Sequence, residues 1–314
     1  MVAEDLNDQI SWERNLLTRD PRIAHRPSSS PKRPPPTMLD DPRIARAIRL
    51  IERSPAEKIG LSDIARHVGL SLFHFQRLFQ AVMGETPSAY MRRTRLDRAA
   101  MNLQMSRQPI TDVALNAGYA SHEAFVRAFH RQFGAVPSQY RMVAQQALPL
   151  KPAAPIAGGE VARVEERPAC TLRAVRFHGP YPAFEAHWTA FHGYLASIGI
   201  DPADVEAVGI TYDTPLITPD AVFRHDCAIV DRGLTVADEL LQPVAFRPGR
   251  YVRMRHRKPF RAILQTYAAL SLDWLPRSGE TFLPDGNGGY KVYHKPPWTR
   301  VGQVHDLSVV LPLA

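Results

Sequence analysis

Apolar residues recur at intervals of three and four over residues 39–146, without a run of alternating β-branched positions, and that spacing predicts a bundle of helices. Beyond residue 148 the pattern changes. Stretches such as 171–177 and 250–255 read as strands, and each leads into an amphipathic helix. Proline and glycine punctuate the chain twice. Pro27-Ser28-Ser29-Ser30-Pro31 and Pro34-Pro35-Pro36 cannot sustain a helix, so residues 1–38 read as a disordered tail. Pro149, Pro152, Pro155, Gly158 and Gly159 mark a linker at 147–159. The expected order is therefore tail, helical domain at 39–146, linker, and an α+β domain at 160–314.

Each domain repeats itself. Leu61-Ser62-Asp63-Ile64-Ala65 returns as Ile110-Thr111-Asp112-Val113-Ala114, and Gly69 returns as Gly118. One residue further out of phase, Phe75, Arg77, Phe79, Gly84, Pro87 and Tyr90 return as Phe125, Arg127, Phe129, Gly134, Pro137 and Tyr140. Each copy reads as a helix-turn-helix. Ser62 or Thr111 is expected to cap a short helix with Asp63 or Asp112 in its first turn. Gly69 or Gly118 supplies a left-handed turn, and a second helix starts after Ser71 or Ser121. In the first copy Leu72, Phe75, Phe79 and Val82 form the apolar stripe, which leaves Phe73, Gln76, Arg77 and Gln80 outside. In the second, Phe125, Phe129 and Phe133 pack inward and leave His122, Glu123, Val126, Arg127 and His130.

Those outward residues suit a major groove. Arg77 and Arg127 fit guanine O6 and N7, Gln76 fits adenine, Glu123 accepts from cytosine N4, and Phe73 meets a thymine methyl. The helix starts at Ser71 and Ser121 offer N–H groups to phosphates. The competing interpretation is that these are solvated faces of an ordinary bundle. Charge separates the two. The chain of 314 residues has a formal net charge of +8, and residues 39–146 hold 15 basic against 9 acidic side chains, so the excess is concentrated in the repeated helical segment.

With those motifs in hand, residues 42–141 resemble the AraC/XylS family of bacterial transcription regulators. The resemblance is carried by Phe75-Gln76-Arg77-Leu78-Phe79, Gly84-Glu85-Thr86-Pro87, Ala117-Gly118-Tyr119 and Phe125-Val126-Arg127-Ala128-Phe129, and by the run from Phe133 to Arg141. It implies two heads joined by a long helix that enter successive major grooves of double-stranded DNA, with RNA polymerase as a possible further partner. The joining helix is expected after Pro87, through Arg92, Arg93, Arg95 and Arg98 to about Met105. Those arginines are either phosphate contacts or solvated.

The second domain repeats at an offset of 79: Phe184, Trp188, Phe191 and Leu195 answer to Ile263, Tyr267, Leu270 and Trp274. A duplicated strand-helix-strand unit leaves a seam between its halves where helix aromatics converge, a common place for a ligand. Its motifs, His178-Gly179-Pro180-Tyr181, Gly209-Ile210-Thr211-Tyr212, Arg224-His225-Asp226-Cys227 and Tyr290-Lys291-Val292-Tyr293, resemble GyrI-like effector-binding domains. That resemblance implies a small-molecule effector, aromatic in character. Where many such domains carry a strand carboxylate that attracts cations, this chain has Lys291, which favours an anionic or neutral aromatic. Trp188, Tyr267, Phe260 and Trp298 are the candidate ligand contacts beside Lys291, each with core packing as the alternative.

Other chemistry finds little support. Cys170 and Cys227 lack metal-site spacing and read as buried thiols, and no H-E-x-x-H, G-x-S-x-G or phosphate-binding loop occurs. His187 beside Glu185 points apart from it on a helix, so a hydrolase or a sequestering protein is the weaker alternative. Neither a catalytic residue, a metal nor a cofactor is expected. Apolar runs too short to span a bilayer, and charges near the start, make a cytoplasmic regulator the expectation.

Overall fold

The computed structural model describes residues 38–53, 59–147, 161–180, 183–214, 217–236, 238–283, 289–299 and 304–314. Nearly all of the expected tail and of the expected linker lies outside them. The chain divides into two compact units, a helical one built on residues 40–147 with Asp213–Val222, and a sheet unit built on residues 161–212 and 223–314.

The helical unit runs α1 (Pro42–Arg53), α2 (Leu61–His67), α3 (Leu72–Met83), α4 (Pro87–Met105), α5 (Ile110–Asn116), α6 (His122–Phe133) and α7 (Pro137–Ala147). The sequence repeat is a repeat in space. Phe79 meets Tyr90 edge-on at 5.5 Å in one head, and Phe129 meets Tyr140 at 5.3 Å in the other. Gly69 and Gly118 turn the chain with φ of 72° and 78°, the left-handed conformation that a Cβ would strain. Ser71 Oγ accepts from His74 N–H at the start of α3, and Ser121 Oγ accepts from Ala124 N–H at the start of α6. Thr86 does the same for α4, whose first residue is the preorganised Pro87. The long α4 packs against α3 on one side and against α5, α6 and α7 on the other, so both heads are built onto it.

Two local expectations are corrected. Helices α2 and α5 start two residues early, after Gly60 and Pro109, so Ser62 and Thr111 lie inside the first turn and cap nothing. Leu72 is exposed as the first residue of α3, while Met83 takes a buried place at the far end. The buried stripe thus ends on Met83, one residue beyond the half-buried Val82.

The sheet unit runs β1 (Arg163–Arg167), β2 (Cys170–His178), α8 (Phe184–Ser197), β3 (Ala207–Thr211), β4 (Arg224–Val230), β5 (Gln242–Phe246), β6 (Gly249–Pro259), α9 (Ile263–Ala268), α10 (Leu275–Ser278), β7 (Gly289–Tyr293) and β8 (Val304–Pro312). Its strands form one antiparallel sheet in the order β1-β6-β8-β7-β3-β4-β2-β5. The sheet curls. Phe246 on β5, at one end of that order, and Tyr251 on β6, next to the other end, bring their rings to 5.0 Å, and Tyr290 joins them. Strand alternation sends Ile210, Ala228, Tyr290 and Val310 into that inner core. Their neighbours Gly209, Cys227, Lys291 and Val309 form a row on the other face.

The two repeated helices differ. α8 is regular and buries Phe184, Trp188, Phe191 and Leu195. Its counterpart contains a π-helical turn, Ala269–Trp274, between α9 and α10. The wider turn adds a residue, so Leu275 reaches the buried position and Trp274 is only half-buried. The spacing of a regular helix had placed Trp274 there.

Candidate nucleic-acid interface and effector site

On α3 the faces separate cleanly. Phe75 and Phe79 are fully buried, and Ser71, Phe73, Gln76, Arg77 and Gln80 are exposed on the other side. Phe73, at 69% exposure, is a large apolar ring left in water, and the Arg77 guanidinium lies 5.6 Å from its centroid. The ring thus braces the arginine that the sequence assigns to guanine. On α6, Ser121, His122, Glu123, Arg127 and His130 are exposed, while Val126 is half-buried. Hydrogen bonds from its own backbone N–H and from the Ser121 hydroxyl hold the Glu123 carboxyl below its ordinary range. A carboxylate of the chain itself therefore occupies the positive end of α6, whereas α3 carries Phe73 at the equivalent place.

The arginines of α4 are not equivalent. Arg92 is exposed and Arg95 half-buried. Arg93 instead folds back on the protein, with Nη2 2.6 Å from Glu85 and Nη1 3.4 Å from Asp97. Asp97, itself buried, also accepts from Gln132 of α6 at 2.6 Å. Arg93 is thus neither a phosphate contact nor merely solvated. It belongs to a polar junction between the joining helix and the second reading helix.

In the sheet unit the helix-covered face carries the polar groups. Lys291 is fully buried, donates to the Thr211 hydroxyl, and lies 5.2 Å from the Phe184 ring and 6.0 Å from that of Tyr267. Burial pushes its ammonium down to about 7. His225 stacks on Phe184 at 4.0 Å, and burial and then the Lys291 charge hold it well below the usual imidazole range. His187 stacks on Phe177, neither of its ring nitrogens has a hydrogen-bond partner, and burial pushes it down to about 4. Glu185 turns instead to His305, 3.2 Å away.

The candidate contacts fall into two groups around this floor. Trp188 is buried, donates to the Tyr293 hydroxyl at 3.0 Å, and has Phe191, His225, Tyr293 and Trp298 as ring neighbours. Tyr267, half-buried, and Phe260, buried, stand on the second repeat, with Phe260 5.9 Å from Phe184. Phe184, rather than Trp188, is the aromatic nearest the amine. Phe184, Thr211, His225 and Tyr293 escaped the sequence search as site residues. Strand register could have found three of them, because Thr211 pairs with His225 and Tyr293 follows Lys291 by two. The two thiols are free, Cys227 buried but Cys170 exposed near the start of β2, so the expectation that both are buried fails at the strand end.

Among the described residues no cluster of three His, Cys, Asp or Glu side chains is placed to hold a metal ion, and no helix is long and apolar enough to cross a membrane.

A helix-turn-helix domain pattern matches residues 64–142, and the GyrI-like small molecule binding domain matches residues 162–313. The regulatory protein SoxS of Escherichia coli (strain K12) is 36% identical over 94 residues, 30% of this chain and 88% of that protein. The Right origin-binding protein of the same strain is 38% identical over 85 residues, 27% of this chain and 29% of its own length. This chain thus spans less than a third of the latter. Among solved structures, an AraC-type transcriptional regulator from Chromobacterium violaceum matches with 31% identity and a TM-score of 0.32, over 33% of this chain and 94% of that one. The chain belongs to the AraC/XylS family of regulators and joins its helix-turn-helix heads to a GyrI-like small molecule binding domain.

Proposed function

We propose that this protein is a one-component transcription regulator whose two heads read DNA and whose sheet domain binds a small aromatic effector. The observation that carries the reading is the pair of matching helices, α3 and α6, each with a buried phenylalanine stripe and an exposed polar face. Both are fixed to one rigid connector. At 19 residues, α4 is about 28 Å long at a rise of about 1.5 Å per residue. With the helix widths added, that approaches the roughly 34 Å between successive major grooves on one side of B-DNA. Phe73, Gln76, Arg77 and Gln80 would read one groove, and His122, Glu123 and Arg127 the next. Ser71 and Ser121 stand at the helix starts, although the Glu123 carboxylate weakens the second as a phosphate site.

In the sheet domain Lys291 is the group that sets ligand charge. A buried ammonium without a carboxylate beside it repels a cationic ligand at short range, which offsets the gain of roughly 0.5–2 kcal/mol from aromatic faces. Neutral or anionic aromatics are the fitting class, held against Phe184, Tyr267 and Phe260, with Trp188 and Trp298 reporting on them by fluorescence. The test couples both halves. DNA sites selected from a random pool with the full chain are titrated by gel shift in the presence of matched neutral, anionic and cationic aromatics. A selected consensus whose affinity shifts with the neutral or anionic compound supports the reading. Failure to enrich any sequence would sink the DNA half, and tightest response to the cation would sink the ligand half.

A further inference from the structure

We propose that Lys291 is a carbonyl-capture site, whose amine condenses with an aromatic aldehyde effector to hold it as an imine on β7. This rests on reading the helix-covered face of the sheet as the effector site and deepens it from contact to reversible covalent capture.

An amine adds to a carbonyl only with its lone pair free, and an ordinary exposed lysine holds that pair as ammonium up to a pH of about 10. Burial is the force against the charge on Lys291, and the groups around it offset that only weakly. Its hydrogen-bond partner is the neutral Thr211 hydroxyl, and two aromatic rings flank it. The titratable groups that face it are His225 and Cys227 from β4, Tyr267 from α9 and, beyond His225, His187 from α8. The first and last are depressed imidazoles and the other two are acids that burial weakens, so all four are neutral near pH 7. The nearest strand carboxylate, Asp226, points through the sheet to Arg176 and Tyr212 on the other face. Among the described residues Lys291 has no carboxylate partner. Burial leaves its amine near half-deprotonated at neutral pH.

Gly209 makes the chemistry fit. It lies between Cys227 and Lys291 in the cross-strand row, and a Cβ there would stand 3.0 Å from Lys291 Cε and 3.1 Å from His225 Nε2. The absent side chain lets the imidazole and the amine share one space, and His225 Nε2 has no hydrogen-bond partner of its own. The Lys291 lone pair forms the N–C bond as the carbonyl π pair moves to oxygen. His225 relays a proton from nitrogen to that oxygen and gives a carbinolamine. The C–O bond then breaks, the oxygen departs as water with a second proton from nitrogen, and the C=N bond forms. One amine and one aldehyde yield one imine and one water, with no oxidant or reductant. Phe184 and Tyr267 supply the faces against which an aromatic aldehyde stacks.

The test treats the full chain at pH 7 with benzaldehyde and sodium cyanoborohydride, which fixes an imine as a benzyl amine, and locates the label by tandem mass spectrometry. Benzoate and benzylamine are titrated in parallel by tryptophan fluorescence. We expect labelling at Lys291 to exceed that at Lys258 and Lys295 by about tenfold or more, and its rate to level off above pH 7 instead of climbing toward pH 10. Lys291→Arg should lose that label and keep the surface background. Should the variant misfold, the comparison of lysines within the native chain decides alone. Label confined to surface lysines while benzoate still quenches would overturn the imine and leave the effector site standing. Neither label at Lys291 nor quenching by any of the three would overturn both.

Discussion

At the residue scale the exposed and the buried cations of this protein do opposite things. Arg77, exposed and 5.6 Å from the Phe73 ring, is proposed to discriminate between bases, and the exposed Arg92 of α4 to meet a phosphate. Arg77→Ala is expected to cost roughly 1–3 kcal/mol on the selected site and to relax preference at one base position. Arg92→Ala should weaken selected and random DNA alike and reduce the salt slope by about one unit. Gel shifts over a salt series on both DNAs separate the two, and equal losses for Arg77→Ala would reverse its assignment.

Lys291 carries the residue-scale prediction for stability. Its amine falls from an ordinary 10.5 to about 7 on folding. Between those values the unfolded chain binds the proton and the folded chain does not, so stability rises with pH across the window and is least below pH 7. The full effect is of the order of 5 kcal/mol. Lys291→Met should therefore be more stable than the parent at pH 7, and the difference should vanish by about pH 10.5. Urea unfolding of both proteins across that range checks it, and a parallel pH dependence in parent and variant would contradict it.

At the element scale, α4 is the member on which the heads depend, and its arginines divide between duties. Arg93 bridges Glu85 and the buried Asp97, and Asp97 holds Gln132 of α6. Arg93→Ala removes one cation from the buried Asp97, to which Gln132 and Thr218 still donate. A loss of about 2 kcal/mol in stability is expected, with a salt slope for DNA binding equal to that of the parent. Thermal melts and the salt series together test this. A reduced slope with unchanged stability would make Arg93 a phosphate contact after all. The π-helical turn after α9 carries the same lesson in another form. One extra residue in a turn moves Leu275 inward and Trp274 outward, which changes the ring that the second repeat presents.

At the scale of the whole molecule, the heads are tandem and unlike. Phe73 and Gln76 stand in one where Glu123 and Val126 stand in the other. On the proposed function, one chain is expected to read an asymmetric site without a palindrome. Mass measurement of the complex on a selected site is expected to find one chain per duplex, with protection over two adjacent grooves on one side. Protection that appears only at strictly palindromic sites with two chains bound would refute this.

The sequence by itself determined the two helix-turn-helix copies and much of their exposed polar face, because repeated phenylalanines, the caps at Ser71 and Ser121 and left-handed glycines act locally and twice. Ser71, Gly69, Gly118 and the start of α4 at Pro87 were legible for that reason. It also placed Lys291 on a strand of the effector domain, through resemblance at Tyr290 to Tyr293. Only the tertiary structure decided what that lysine meets. Phe184, Thr211, His225 and Gly209 come from three other elements, and the register across β7, β3 and β4 brings them within reach. The same holds for Arg93, whose i+4 partner Asp97 was visible along the chain but whose burial was not. Local spacing sets which face a side chain takes; how far that face is removed from water, and therefore which charges survive there, is fixed by elements distant in sequence.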